Sequence, residues 1–427
     1  MGKKDRILCA LCISAVNKYH LECVTVTMNQ SAKSMTHKPN SNRIPLSEPV
    51  FRGNEWKYVK DCLDSGYVSA AGKYVHLFEH AVAEYSGAKG AVATTNGTAA
   101  IHTALLVAGI RPGDQVIVPA LTFIASVNPI RYCGAEPVFV DCEPQSWNVE
   151  PRAIEDSVSR LTKEGHPPKA IIVVHLYGRP AAMDEIMEIA RRHKLVVIED
   201  ATEALGSRYT GRMPGSIGDI GCYSFNGNKL ITTGGGGMLV SNNQKLLSHA
   251  RYLINQAKEG EDDYCHGSVG YNYRFSNIQA AIGLAQLEHI EEFISKKREI
   301  ARLYDTMFHQ NTMIECYHEE KDSLCNYWLY AITMNKKSHD IEPGDVIESL
   351  RAAGIEARPV FRPVHLQAPY SQEPQVHLPQ AEHIYSRGLC LPSSLNMTAM
   401  EQEKVCRELK RALRQPTRGC PTVIGGR

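Results

Sequence analysis

The stretch AIIVVHLYGRPAAMDEIMEIARRHKLVVIED, residues 170–200, decides the fold. It opens on AIIVVHL (170–176) and closes on LVVIED (195–200), two short runs rich in β-branched residues, separated by a segment of helical and loop character. A strand wetted on one face alternates apolar and polar side chains. Runs that are apolar on both faces need cover on both sides, the situation of parallel strands under helices. Working outward, QVIVP (115–119) and PVFVD (137–141) repeat the pattern upstream, and AVATT (91–95) adds a short buried strand before them. IGCYSF (220–225) and GGMLVS (236–241) add two more downstream. The expected fold is α/β, with a mostly parallel central sheet flanked by helices.

Helical segments fill the intervals. GNEWKYVKDCLDSG (53–66) and KYVHLFEHAVAEYSG (73–87) are amphipathic and end at glycine. TAAIHTALLVAG (98–109) reads as a helix capped by Thr98 and stopped by Gly109. After Ser276 the helical period continues through NIQAAIGLAQLEHIEEFISKKREIARLYDTMF (277–308), read as one long helix joining a large domain (44–290) to a smaller α/β domain (291–414). The smaller part carries the strand YWLYAITM (327–334), the helix DVIESLRAAG (345–354) and the strand IEARPVF (355–361). Residues 1–43 read as an extension outside the folded domain. Their ILCALCISAV (7–16) resembles a short signal-peptide core, but no clear cleavage site follows. Residues 415–427 read as a flexible tail.

Composition narrows the function. The chain has 427 residues, with 47 Lys plus Arg against 46 Asp plus Glu, a balance that argues against a general nucleic-acid binder. No apolar run reaches the ~18 residues of a membrane span. The 13 cysteines, scattered and odd in number, read as reduced thiols of a cytoplasmic protein. Cys9 and Cys12 form a CxxC without a second pair, so no metal site is expected.

Four features assemble into one chemical site. In TTNGTAAIHTA (94–104) a strand runs through Asn96-Gly97-Thr98 into a helix, and the N–H groups of Thr98 and Ala99 would face a bound phosphate; an ordinary capped helix is the plainer reading. In VVIEDATEALGS (196–207), Asp200 ends a strand where open α/β sheets place ligands, as counter-ion to a buried cation or simply as a cap. In SFNGNKLITTGGGG (224–237), Ser224 could meet a phosphate and Lys229 the same cavity, with Gly234 to Gly237 letting the backbone pass close to a bulky ligand. Phe123 of LTFIAS (121–126) offers an aromatic face, or core. Phosphate cradle, aspartate, aromatic platform and lysine are together what pyridoxal 5′-phosphate requires. The lysine amine forms a Schiff base with its aldehyde, and the aspartate keeps its ring nitrogen protonated.

With these residues in view, the chain resembles the nucleotide-sugar aminotransferases of PLP fold type I, the perosamine-synthase-like group, over roughly residues 44–414. The resemblance rests on NGTAAIHTAL (96–105), VPALTFIASVNPI (118–130), EDATEALGS (199–207), GDIGCYSFNGNKLITTGGGGMLVS (218–241) and VGYNYRFSNIQAAIGL (269–284). It implies that Lys229 is the catalytic lysine, that Asp200 pairs with the ring nitrogen and that Phe123 lies against the ring. It also implies that Thr98, Ala99 and Ser224 hold the phosphate, and that Glu203 stands near the ring hydroxyl. In such enzymes Asn272 would reach the phosphate of the neighbouring subunit and Arg274 would lie near that shared site, making a homodimer obligatory.

Many members read Gly-Glu-Gly-Gly where this chain has four glycines. The all-glycine form resembles the branch aminating C4 of UDP-linked 4-keto-6-deoxy-N-acetylhexosamines for cell-surface glycans. The expected reaction moves an amino group from L-glutamate to a keto-sugar nucleotide. Alternatives are amination at C3, or a PLP lyase or desulfurase for which Cys265 would be the candidate thiol. His365 of RPVHLQAPY (362–370) is a candidate substrate contact, or a structural histidine of a Pro-rich loop.

Overall fold

A seven-stranded sheet carries the site. Its strands are β1 (Gly90–Thr94), β2 (Gln115–Pro119), β3 (Glu136–Val140), β4 (Ala170–Val174), β5 (Val196–Asp200), β6 (Ile220–Ser224) and β7 (Gly237–Ser241), in the order β1-β7-β6-β5-β4-β2-β3. The computed structural model describes residues 43–260, 263–335, 341–371 and 377–414. The N-terminal extension up to residue 42 and the tail from 415, read above as extension and tail, lie outside the described residues. The pairs β2–β3, β2–β4, β4–β5 and β5–β6 are parallel, and β7 runs antiparallel to both its neighbours. Ala170 to Val174 are buried without exception, as a two-sided strand must be. Register brings the carboxyl ends together: Val174 pairs with Asp200, and Asp200 with Cys222. The mostly parallel sheet expected from the apolar runs is the one observed.

The first helices are α1 (Glu55–Ser65), α2 (Lys73–Ser86) and α3 (Gly97–Val107). The first two stop at Gly66 and Gly87, whose φ of 74° and 77° an L-residue adopts only at a cost. One expected cap is corrected. Asn96, not Thr98, caps α3, its extended backbone letting the side-chain oxygen accept from Ala99 N–H at 2.8 Å. An amide two residues earlier reaches the third N–H of the helix, and Thr98 is already inside it.

The single long helix after Ser276 is two: α4 (Asn277–Leu287) and α5 (Ile290–Phe308), broken at Glu288–His289. The break lets the chain change partners. Ile290, Phe293 and Ile294 pack with the residues that cover β1, β6 and β7, while Ile300, Ala301, Tyr304 and Phe308 belong to a second core. That second core lies on a four-stranded sheet of β8 (Ile314–Cys316), β9 (Tyr330–Met334), β10 (Arg358–Pro359) and β11 (Gly388–Leu391), in the order β8-β9-β11-β10. The change of core therefore falls inside α5, and Ile44, at the other end of the sequence, joins the second core through a bridge to Ile355. The expected strand 327–334 starts only at Tyr330. Tyr327 has φ 50° and the Asn326 side chain takes the Trp328 N–H at 2.8 Å, which keeps this stretch out of the sheet. The strand expected at 355–361 shrinks to two residues, Arg358 and Pro359, paired with Cys390 and Leu389.

Candidate active site

At the carboxyl ends of the strands lies a cleft of about 290 Å³ lined by Thr98, Phe123, Asp200, Glu203, Ser224 and Lys229 among others. Each arrives from the end of a strand or the turn behind it, where parallel sheets leave room between diverging loops. Of the residues singled out from sequence, these six converge.

Asp200 is 3 % exposed, and its two oxygens have separate partners. Oδ2 accepts from the Ser126 hydroxyl at 2.6 Å and Oδ1 from the Thr202 N–H at 3.2 Å; Ser126 shares a 2.7 Å contact with Thr122. A buried carboxylate fixed by hydroxyl and amide is preorganised as a partner for a cation. It is more than a helix cap, because it lines the cleft.

Glu203 accepts from the Tyr177 N–H at 2.7 Å and faces the Lys229 ammonium at 3.5 Å. Burial pushes its carboxyl up to about 6, against the pull of Lys229 and the Tyr177 amide. A carboxyl whose folded value exceeds its ordinary 4.5 contributes stability below 4.5 and loses it as pH rises through 6. Glu203→Gln removes that slope. Relative to wild type, the cofactor-free variant should gain about 2 kcal/mol between pH 4.5 and pH 7. Urea unfolding at the two pH values measures it, and a pH-independent difference between the proteins would refute the raised value.

Lys229 sits on a turn, its Nζ 3.8 Å from the centre of the Trp328 ring. The Trp328 indole N–H donates to Asn228 O at 2.7 Å, so the tryptophan holds both the lysine and the loop beside it. Trp328 stacks on Tyr177, Tyr177 on Phe361, and Phe361 meets Phe123 at 5.5 Å, which makes an aromatic wall. Phe123 is 54 % exposed, so it is not core. Sequence reading missed Trp328, Tyr177, Phe361 and Ser126. Trp328 is one of three tryptophans in the chain and Tyr177 has φ 54°, yet neither fact is local to the motifs.

The opposite wall is the strand-to-helix turn. A Cβ at Gly97 would lie 3.0 Å from the Ser224 Cβ, so this glycine lets the N-terminus of α3 and the Ser224 hydroxyl share one corner. The early N–H groups of a helix have no partner within it and favour an anion. The Ala99 N–H, however, is taken by Asn96. The glycine tract serves packing of the chain on itself. A Cβ at Gly237 would come within 2.3 Å of Asn96 O, and one at Gly236 within 2.8 Å of the Phe275 ring. At these two glycines the close approach is to backbone and core, while Gly234, with φ 80°, has open space around it. Gly235 is different, since a Cβ there meets only Gln279 Nε2 at 4.0 Å.

Four other residues lie elsewhere. His365 bonds to Glu382 at 3.1 Å and lines a separate cavity with Phe139 and Tyr370. Arg274 donates to Ala70 O at 2.7 Å, and Asn272 forms a bridge with Asn255; neither lines this chain's own cleft. Cys265 stands on an exposed two-residue strand, 3.8 Å from a Glu259 oxygen, also outside the cleft.

The donor set fits pyridoxal 5′-phosphate. A carboxylate, a helix N-terminus with two hydroxyls and a lysine on one cleft answer the ring nitrogen, the phosphate and the aldehyde. Comparison with known proteins agrees. The chain is 43% identical over 366 residues to the GDP-perosamine synthase of Escherichia coli O157:H7, covering 86% of this chain and 97% of that protein. It is 41% identical over 372 residues to the GDP-perosamine synthase of Caulobacter vibrioides, covering 87% and 98%. Among solved structures, Helicobacter pylori PseC, an aminotransferase involved in the biosynthesis of pseudoaminic acid, superposes with a TM-score of 0.81 at 26% identity, covering 87% of this chain and 99% of that one. The profile of the DegT/DnrJ/EryC1/StrS aminotransferases matches residues 50–410. A match of that extent makes the chain a pyridoxal 5′-phosphate-dependent aminotransferase of the DegT/DnrJ/EryC1/StrS family.

Proposed function

We propose that this enzyme transfers an amino group from L-glutamate to C4 of a nucleotide-linked 4-keto-6-deoxy sugar. The observation that carries the reading is the convergence of Lys229, Asp200 and the N-terminus of α3 on one cleft. Pyridoxal 5′-phosphate, when bound, supplies an electrophilic carbon and a ring that spreads the electron pair left by a departing proton. Asp200, itself held by Ser126 and Thr202, keeps a proton on the ring nitrogen. Lys229 Nζ would be the base that moves a proton between Cα of the donor and the bound cofactor's carbon, and in the second half-reaction between that carbon and C4 of the sugar. Thr98 and Ser224 hold the phosphate, Phe123 covers a ring face, and Glu203 stands beside the lysine.

Two nucleotides compete. Gly235 favours the UDP-linked N-acetylhexosamine, since packing does not demand glycine there and its identity is free to follow the substrate. The names of the full-length relatives at 41% and 43% identity favour a GDP-linked sugar. The relatives weigh more, because they match 86% and 87% of the chain and Gly235 is one position. Incubating the enzyme with glutamate and a panel of UDP-, GDP- and dTDP-linked keto sugars, read by mass and by NMR of the product, separates these and also distinguishes C4 from C3. No amination of any keto sugar would refute the proposal. A desulfurase has no support in the cleft, from which Cys265 is absent.

The active site we propose is shared by two subunits. Asn272 and Arg274 sit on the exposed segment beside the stacked Tyr271 and Tyr273, with nothing of their own cleft in reach. Asn272→Ala should weaken cofactor binding by roughly 1.5–3 kcal/mol, about tenfold or more, as loss of a hydrogen bond to a charged group does. Mixed with Lys229→Ala subunits, it should recover activity, because one site of each heterodimer then holds both wild-type residues. Absence of recovery in proven heterodimers of two inactive variants would rule out the shared site.

A further inference from the structure

Lys297 lies in the middle of α5, 2 % exposed, although a lysine in an amphipathic helix ordinarily faces water. Among the described residues no carboxylate pairs with it. Its Nζ instead donates to Trp328 O at 2.9 Å, Ser393 O at 2.5 Å and Ser393 Oγ at 3.4 Å. Three acceptors match the three N–H groups of an ammonium. Burial alone pulls the amine down to about 7, so the three oxygens are what this buried lysine has in place of a counter-ion.

What those oxygens belong to gives the lysine its use. Trp328 is the residue whose ring lies 3.8 Å from Lys229 Nζ and whose indole N–H holds Asn228 O. Its backbone lies outside β9, in the irregular stretch after Tyr327, so no ladder of strand hydrogen bonds fixes it. The Asn326 side chain holds its N–H and Lys297 holds its carbonyl. Ser393, the other partner, is tied through its own N–H to Leu46 O at 2.8 Å. Lys297 thus stands where α5, the segment around Leu46, the turn after β11 and the Trp328 segment meet.

We propose that Lys297 is a positioning residue for transamination, fixing the Trp328 backbone so that the indole stays against Lys229. The proposal rests on Lys229 being the reacting amine. The ammonium acts without touching substrate or cofactor. It donates to the Trp328 and Ser393 carbonyls and to the Ser393 hydroxyl, which itself reaches Trp328 O only at 3.4 Å, and so orients the tryptophan from behind.

Fluorotryptophan labelling tests this directly, since the chain has three tryptophans and Trp328→Phe assigns one of three ¹⁹F resonances. In the cofactor-free protein, Lys297→Met should move or broaden the Trp328 resonance and leave that of Trp56, exposed on α1, unchanged. In the loaded enzyme kcat should fall about tenfold or more, as small displacements of a reacting group do, with KM for glutamate little changed. In a Trp328→Phe background the same substitution should change kcat less than twofold, because the path to Lys229 is already cut. An unmoved Trp328 resonance, an unchanged kcat, or losses that simply multiply would each overturn the proposal. If Lys297→Met does not fold, Lys297→Gln keeps two donors and answers the same questions; unfolding of both would overturn it too, the lysine then serving the core at large. The ¹⁹F result involves no catalysis, so it stands apart from the role of Lys229, which is tested by its own substitution.

Discussion

Lys229→Ala should abolish turnover, by at least about 10³-fold, the loss expected when the one group that moves the proton is removed. The reason is geometric. Among the described residues Lys229 is the only lysine lining the cleft, and Glu203, its 3.5 Å neighbour, is held by the Tyr177 N–H. Wild-type protein loaded with pyridoxal 5′-phosphate should be yellow, change colour with L-glutamate and keep the cofactor after borohydride treatment. The alanine variant should fold, because the side chain lines the cleft, where its contacts are Glu203 and the Trp328 ring, but borohydride should fix nothing to it. Mass spectrometry of the treated chains measures this. A variant that still carries covalent cofactor, or turns over within tenfold of wild type, would mean that another amine does the work.

Asp200→Asn should lower kcat by about 100-fold, comparable with removing one preorganised electrostatic group, while leaving the fold intact. The amide can keep both contacts. Its oxygen can accept from Thr202 N–H, and its NH₂ can donate to Ser126, whose hydroxyl can turn its own proton towards Thr122 at 2.7 Å. What the amide lacks is charge, so it cannot hold a proton on the ring nitrogen, and the electron pair loses its sink. Steady-state kinetics and a thermal melt together decide. An unchanged melt with activity within a few-fold of wild type would reduce Asp200 to a cap; a collapsed melt would make it a fold residue.

The limits of sequence reading are visible at particular residues. The strand at 196–200 was legible because an apolar run on both faces is a local signal, and Asp200 at its end followed from where parallel sheets open. The cap of α3 was placed at Thr98 because hydroxyls cap often; whether Asn96 or Thr98 does so depends on the Asn96 backbone being extended, which is set by β1 and the chain packed against it. The long helix was drawn through Glu288–His289 because helical periodicity continues there. What breaks it is the exchange of one core for another, which periodicity does not record. His365 was a candidate because a histidine near prolines is chemically versatile, and the fold turns it towards Glu382.

By itself the sequence determined the α/β class, most of the elements and the cofactor, and it singled out the lysine and the aspartate as candidates. Each of these rests on the period of side chains along a strand or helix, or on residues close to one another in the chain. Only the tertiary structure decided that Gly237 clears the backbone of Asn96, that Trp328 lies on Lys229 and that Lys297 holds it from behind. Those contacts join residues from 31 to about 140 positions apart. A pattern read along the chain carries no distance between such segments; packing supplies it.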